Sequence, residues 1–219
     1  MTAPIELSSR AAYTPDQPIS FFMAQAVENP HLISLAAGLV DSESLPAEEI
    51  HAALDEMLRQ PAFARASLQY GTTPGYAPLR EKLLARLATL DGVTPQELSL
   101  SVEDVVITTG SQQLLYLLCE ELLNPGDLVI TEGQSYFVFQ SVLNSFSVQT
   151  IEVPMDENGM DVDALEETLV HLERTGQIDR LKLIYVIDYY QNPTGLTLSL
   201  PRRQKLLELV QRFSRHHRI

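Results

Sequence analysis

Two short stretches of this chain carry residue types that could hold an anion and a flat polar ligand. The first is Thr108-Thr109-Gly110-Ser111-Gln112-Gln113, where an apolar β-rich run ends and an amphipathic helix starts. Backbone N–H groups at a helix start lack intrahelical acceptors and carry partial positive charge, so a phosphate is stabilised there. Gly110 lets the backbone approach such an anion, and Ser111 adds a hydroxyl donor. The stretch lacks the Gly-Lys-Ser/Thr ending of a Walker A loop and the three glycines of the dinucleotide fingerprint. Taken alone, such a turn is more often simply a well-capped helix start. The second stretch is Tyr189-Tyr190-Gln191-Asn192-Pro193-Thr194-Gly195, directly after another apolar run. Asn-Pro-Thr-Gly alone is turn chemistry. Ligands of open α/β sheets bind beyond the carboxyl ends of the strands, so two such turns should face one crevice.

The elements that must position these turns alternate between β-rich runs and amphipathic helices, the pattern of a layered α/β domain with a largely parallel sheet. Strands are expected over Val105 to Thr108, Leu128 to Thr131, Ser147 to Val153 and Leu181 to Ile187, the last apolar enough to be covered on both faces. Helices are expected over Ser111 to Leu123, ended by Asn124-Pro125-Gly126, briefly from Tyr136, and over Val162 to Arg174 with Leu165, Leu169 and Leu172 on one face. A last helix starts near Pro201, with Leu206, Leu207, Val210 and Phe213 facing inward. Upstream, Ile50, Leu54, Met57 and Leu58 mark a helix from Pro46, and Leu79, Leu83, Leu87 and Leu90 mark another from Pro78 to the Asp91-Gly92 break. Thr94 to Glu97 has capping-box form. Residues 1–45, punctuated by Pro4, Pro15, Pro18, Pro30, Gly38 and Asp41, read as an arm with one short helix, followed by an α/β domain over 46–219.

The 219 residues, 45% hydrophobic, suffice for a sizeable core, and a formal charge of −14 argues against non-specific binding to nucleic acid or anionic membrane. No run approaches the roughly 18 apolar residues of a membrane span. The opening MTAPIELSSR lacks the basic-then-apolar order of a secretory signal, so a cytoplasmic location is expected. Cys119, the single cysteine, lies in LLYLLCEELL and reads as a buried structural thiol, with no metal or redox site.

Five segments, taken in order, resemble the class I and II aminotransferase family over nearly the whole chain from Ile33. They are Ile33-Ser34-Leu35-Ala36-Ala37-Gly38-Leu39; Gln69-Tyr70-Gly71 with Gly75-Tyr76 and Leu79-Arg80; Thr109-Gly110-Ser111-Gln112-Gln113; Asn124-Pro125-Gly126-Asp127; and Gln191-Asn192-Pro193-Thr194-Gly195. The flavour is similar to the subgroup of 2-aminoadipate and kynurenine aminotransferases. The resemblance implies an α/β fold, the three-layer α/β/α large domain of fold type I pyridoxal-phosphate enzymes, incomplete here and preceded by an N-terminal arm. It also implies amino transfer between an amino acid and a 2-oxo acid, with pyridoxal 5'-phosphate as cofactor and a homodimer with shared sites. By position, Gly110, Ser111 and Gln112 would hold the cofactor phosphate, Tyr136 would stack on its ring, and Asn192 would donate to its ring oxygen. Tyr70 would reach the phosphate of the partner subunit's cofactor, and Gly38 would lie beside the amino-acid substrate. The Asn192-Pro193 bond is expected to be cis, as is common in the family.

The departures matter as much. The chain has only Lys82, Lys182 and Lys205, none in a segment resembling the family's Schiff-base lysine, so no catalytic lysine is assigned. The aspartate that pairs with the pyridine nitrogen and the arginine that clamps the substrate carboxylate also find no counterpart, and Asp188 stands where relatives commonly have proline. Other readings stay open: a non-catalytic remnant that binds phosphate or a partner chain, and a carbon–sulfur lyase or decarboxylase of the same fold. A DNA-binding regulator fused to such a domain ranks last, as no basic winged-helix segment precedes Ile33. Six of the fifteen Lys and Arg, with His216 and His217, fall after Ser199 and read as a solvated helix end rather than a metal or nucleic-acid site. Three sheet strands of the family have no counterpart here, so Val105 to Thr108 is expected to lie unpaired on at least one edge or to pair unlike the family.

Overall fold

The computed structural model describes residues 5–14, 18–33, 40–214 and 219. In chain order the described helices are α1 (Ser9–Ala12), α2 (Pro18–Glu28), α3 (Ala47–Leu58), α4 (Pro61–Ser67), α5 (Ala77–Asp91), α6 (Ser111–Leu122), α7 (Phe137–Ser145), α8 (Val162–Arg174) and α9 (Leu200–Phe213). The strands are β1 (Leu128–Glu132), β2 (Gln149–Val153), β3 (Met155–Asp156), β4 (Gly159–Met160) and β5 (Leu181–Tyr185). Two compact units result: one holds the described residues among the first 17 together with Gly110–Ile219, the other spans Pro18–Thr109. Compactness thus partitions the chain elsewhere than the expected boundary after residue 45, and the arm contributes two helices rather than one.

In the first unit β2, β1 and β5 form a parallel sheet in that order. All five residues of the central β1 are buried, as a both-faces-covered strand requires. Alternate side chains serve opposite layers. Leu128 and Ile130 join Leu165, Leu169 and Leu172 of α8 and Leu209 and Phe213 of α9, whereas Val129 joins Cys119 and Leu123 beside α6 and Phe139 and Leu143 of α7. The result is helix, sheet, helix. Cys119 is fully buried, and burial pushes its thiol up to about 11, consistent with an inert packing role.

Helix α8 has the bounds its leucine spacing predicts. Its first turn is satisfied by Asp161, whose carboxylate accepts from the backbone of Asp163 (3.0 Å) and Ala164 (3.1 Å), while His171 and Arg174 suit the negative end of the helix. Asp161→Ala is expected to cost about 1 kcal/mol in chemical denaturation. A variant as stable as the parent would show that water replaces the cap.

The basic side chains of α9 are clamps, not merely a solvated end. Arg202 grips both carboxylate oxygens of Asp156 at 2.6 Å and donates to the carbonyls of Gly159 (2.9 Å) and Met160 (3.1 Å), tying α9 to the hairpin of β3 and β4. That hydrogen bonding holds the Asp156 carboxyl below the usual range. Lys205 (3.0 Å) and Arg212 (2.5 Å) share Glu166 of α8 and lower its carboxyl likewise. His216 and His217 lie outside the described residues.

Val105 to Thr108 is not a strand. It is held by bonds to the second unit: the Ile107 amide donates to the Pro74 carbonyl (2.9 Å), and the buried Arg80 donates to the carbonyls of Val105 (2.7 Å) and, just upstream, Val102 (2.5 Å). A Cβ on Gly75, whose φ is +100°, would stand 2.6 Å from Ile107 Cγ1, so only glycine allows this approach. The local β propensity is real, but a ladder needs a neighbour, and the expected strand does not form. The capping box forms, with Thr94 N donating to Glu97 (2.7 Å) and Glu97 N to Thr94 (3.4 Å), yet it opens only a turn. The outer edge of β5 has no strand beside it among the described residues.

Candidate functional site

Two segments of interest leave the carboxyl end of the sheet in the first unit. β1 ends at Glu132 and continues through Gly133-Gln134-Ser135-Tyr136 into α7. β5 ends at Tyr185 and continues through the 186–199 loop into α9. Helix α6 ends five residues before the amino end of β1, so a helix running back along the sheet must start at the carboxyl end. Its Leu115 packs against the same cluster as Tyr136 and Tyr185, with Leu123 and Val129. The Gly110 turn, the Tyr136 segment and the Asn192 loop therefore share one edge.

Gly110 precedes α6 with φ +90° and ψ 166°, a conformation largely reserved to glycine, and as the N-cap residue it has no side chain of its own to bond the helix start. A Cβ there would meet nothing within 4 Å, so the space over the turn is open. Ser111 is exposed. The side-chain oxygen of Gln112 and the hydroxyl of Ser135 are buried without partners, as are Thr131 Oγ1 and Glu132 Oε1. An orphaned buried polar group costs about 1–3 kcal/mol. Those of Gln112 and Ser135, beside the two turns, fit a site built for a polar ligand.

The loop after β5 carries a cis Asn192-Pro193 bond, as the resemblance implied, and exposes Asn192. Gln191, 2% exposed, organises it. Its backbone amide donates to Leu196 O (2.8 Å), its carbonyl accepts from Gly195 (2.6 Å), and its Oε1 accepts from the Thr194 amide (3.0 Å) and hydroxyl (2.6 Å). Its Nε2 donates to Glu132 (3.1 Å) and to the Gln134 carbonyl. Asp188 accepts from the Leu198 amide through its carbonyl (2.9 Å) and places its carboxylate 3.9 Å from Arg203.

Tyr136 is half-buried at the start of α7, its ring 5.7 Å from that of Phe137. Tyr185 packs its ring 4.3 Å from Phe139, and burial, then the charges of Glu132 and Tyr136 nearby, raises its phenol. Glu132 is only 1% exposed, and burial pushes its carboxyl up despite the donors of Gln191 and Ile187, with Asp188 adding to the rise. Such a group stabilises the fold while protonated. Stability is therefore expected to fall as pH rises from about 4.3, the ordinary glutamate value, through the raised one. Glu132→Gln should abolish that slope and be the more stable protein at pH 7; parallel stability–pH curves for the two proteins would contradict this.

Tyr70 belongs to the second unit, 99% exposed, at a 690 Å³ groove that Met57, Phe63 and Tyr76 also line. Gly38 lies outside the described residues. Lys182 donates to the Asp179 carbonyl (2.5 Å) at the amino end of β5, away from the shared edge, and Lys205 is held by Glu166. No group of three or more metal-ligating side chains occurs, and no helix is long and apolar enough to cross a membrane, among the described residues. Sequence reading assigned no role to Glu132 or Gln191. The available signal was a carboxylate closing the buried run Leu128-Val129-Ile130-Thr131-Glu132, where a solvated charge has no place.

Comparison with known proteins bears on the family and the fold. The profile of the family described as aminotransferase class I and II matches residues 30–217. Aromatic-amino-acid aminotransferase 1 of Thermococcus litoralis is 36% identical over 192 residues, covering 87% of this chain and 44% of the relative. The 2-aminoadipate transaminase of Thermus thermophilus is 37% identical over 191 residues, covering 86% and 42%. The crystal structure of Pyrococcus horikoshii kynurenine aminotransferase, in complex with PMP, superposes with a TM-score of 0.83 at 35% identity over 95% of this chain and 49% of that one. The chain spans about half the length of the curated relatives it matches. Its parallel sheet between helical layers corresponds to part of their α/β/α fold.

Proposed function

This chain belongs to the class I and II aminotransferase family, and from that premise we propose that it supplies the phosphate- and ring-contact half of an amino-transfer site using pyridoxal 5'-phosphate. One observation carries the reading: the Gly110 helix start and the Gln191-Asn192 loop emerge at the same carboxyl edge of one sheet. Gly110, Ser111 and Gln112 hold the phosphate, through the positive end of α6, a hydroxyl donor and an otherwise orphaned side chain. Tyr136 offers its ring as a flat face, and the Asn192 amide donates to the ring oxygen. The exposed Tyr70 serves the phosphate of a second copy in a homodimer, and Gly38 lines the substrate side.

The cofactor, when bound, supplies the electron sink that lets an amino acid lose its α-proton and pass its nitrogen to a 2-oxo acid. The substrates named for the relatives, aromatic amino acids, 2-aminoadipate and kynurenine, share a 2-amino carboxylate, and that common part defines the substrate class. Lys182 and Lys205 are engaged away from the edge and Lys82 stands in no segment resembling the family's lysine, so these 219 residues hold the cofactor without a covalent bond.

Titration of the 219-residue chain with pyridoxal phosphate, followed by its tyrosine fluorescence, tests the reading. Saturable binding that inorganic phosphate competes away, with no mass gain after borohydride, is expected. Absence of saturable binding would refute the site, and a borohydride-stable adduct would refute the reading of the lysines.

A further inference from the structure

Glu132 and Gln191 are two of four buried polar or charged side chains among the described residues, and neither was assigned a role by the motif. Glu132 Oε2 accepts twice, from the Ile187 amide (3.2 Å) at the root of the loop and from Gln191 Nε2 (3.1 Å). Gln191 Nε2 also donates to the carbonyl of Gln134, two residues before Tyr136, while Gln191 Oε1 holds Thr194, two residues after Asn192. One amide thus bridges the segment that carries Tyr136 and the loop that carries Asn192, and one carboxyl anchors that amide to the end of β1.

We propose that Glu132 and Gln191 are positioning residues, a buried brace that sets Tyr136 and Asn192 relative to each other for the cofactor ring. The inference rests on the function proposed above and adds to it residues that touch neither phosphate nor ring. Both Oε2 contacts are made by N–H donors, so the proton of a neutral carboxyl resides on Oε1, the atom left without an acceptor. Burial favours that neutral form, as the raised carboxyl indicates. A glutamine in place of Glu132 keeps an acceptor oxygen for Ile187 and Gln191 and puts an N–H where the acid proton was. An alanine removes the anchor and orphans both donors.

The test compares the parent chain with Glu132→Ala, Glu132→Gln and Gln191→Ala, using amide hydrogen exchange and the binding of two probes, pyridoxal phosphate and inorganic phosphate. In Glu132→Ala, exchange at Thr194 and Leu196 should accelerate at least about tenfold and pyridoxal phosphate should bind at least about tenfold more weakly, as for loss of one buried charged or polar contact. Inorganic phosphate, which needs only the Gly110 turn, should bind as before. Gln191→Ala should reproduce this pattern from the other side of the contact, and Glu132→Gln should stay within about twofold of the parent in every readout. Equal weakening of both probes would reduce the pair to general structural support, and a Glu132→Gln variant as impaired as Glu132→Ala would refute a brace that works through these hydrogen bonds. Unchanged exchange at Thr194 in Glu132→Ala would refute the anchor itself. Failure of the parent chain to bind pyridoxal phosphate would sink the proposed function, while the exchange arm would still decide whether the brace exists.

Discussion

Arg80→Met should destabilise the Pro18–Thr109 unit by about 2–5 kcal/mol, the largest stability effect expected of any substitution considered for this chain. Arg80 is 4% exposed and spends its donors on the carbonyls of Val105 and Val102, so it replaces the ladder that a neighbouring strand would give this segment. Hydrogen bonds from a charged donor contribute about 1.5–3 kcal/mol each, and carbonyls left buried without one add to the loss. Methionine keeps most of the apolar stem, which separates the lost donors from lost packing. The ion pair with Glu103 is a minor part: that carboxylate is 79% exposed at 3.3 Å, and Glu103→Gln should change stability by less than about 0.5 kcal/mol. Chemical denaturation combined with hydrogen exchange across α5 reads both variants. If Arg80→Met lay within about 0.5 kcal/mol of the parent, water would be satisfying those carbonyls and the account of the segment would fail.

That segment also shows where sequence reading stops. Val105-Val106-Ile107-Thr108 is as β-prone as Leu128-Val129-Ile130-Thr131, yet only the second is a strand, because pairing is a property of two segments and β2 and β5 flank β1 alone. Where one segment decides its own form, reading succeeded: Leu165, Leu169 and Leu172 with the Asp161 cap define α8 locally, and its bounds match. The strands β3 and β4, two residues each, are too short for periodicity to register, although the Asn158-Gly159 turn between them was legible. The same division holds at the site. Gly110 and Pro193 announce themselves because glycine and proline constrain the backbone where they stand. The contact between Glu132 and Gln191 spans 59 positions and is visible only once β1 and β5 lie side by side. Its one local trace, an acid closing an apolar strand, says that the charge must be neutralised or bonded but not by what.

The largest effect on ligand binding is expected from Gly110→Ala, which should weaken pyridoxal phosphate about 100-fold, equivalent to about 2.7 kcal/mol. The added methyl meets no atom within 4 Å, so the effect cannot be a clash with neighbours. It acts through the backbone: φ +90° with ψ 166° costs a non-glycine residue about 1–3 kcal/mol, and the turn relaxes by rotating away from that geometry. Rotation at the residue that opens α6 re-aims the first N–H groups of the helix, and an anion site built from fixed donors loses its complementarity. Folding itself should suffer less, because the residue is exposed. The diagnostic quantity is the ratio of affinities for pyridoxal phosphate and for pyridoxal, which isolates the contribution of the phosphate. The parent chain should favour the phosphorylated form strongly and Gly110→Ala should nearly erase the preference. If both affinities fell together with the ratio preserved, the loss would lie in the ring contacts of Tyr136 and Asn192, and the phosphate would have to be held by some group other than the start of α6.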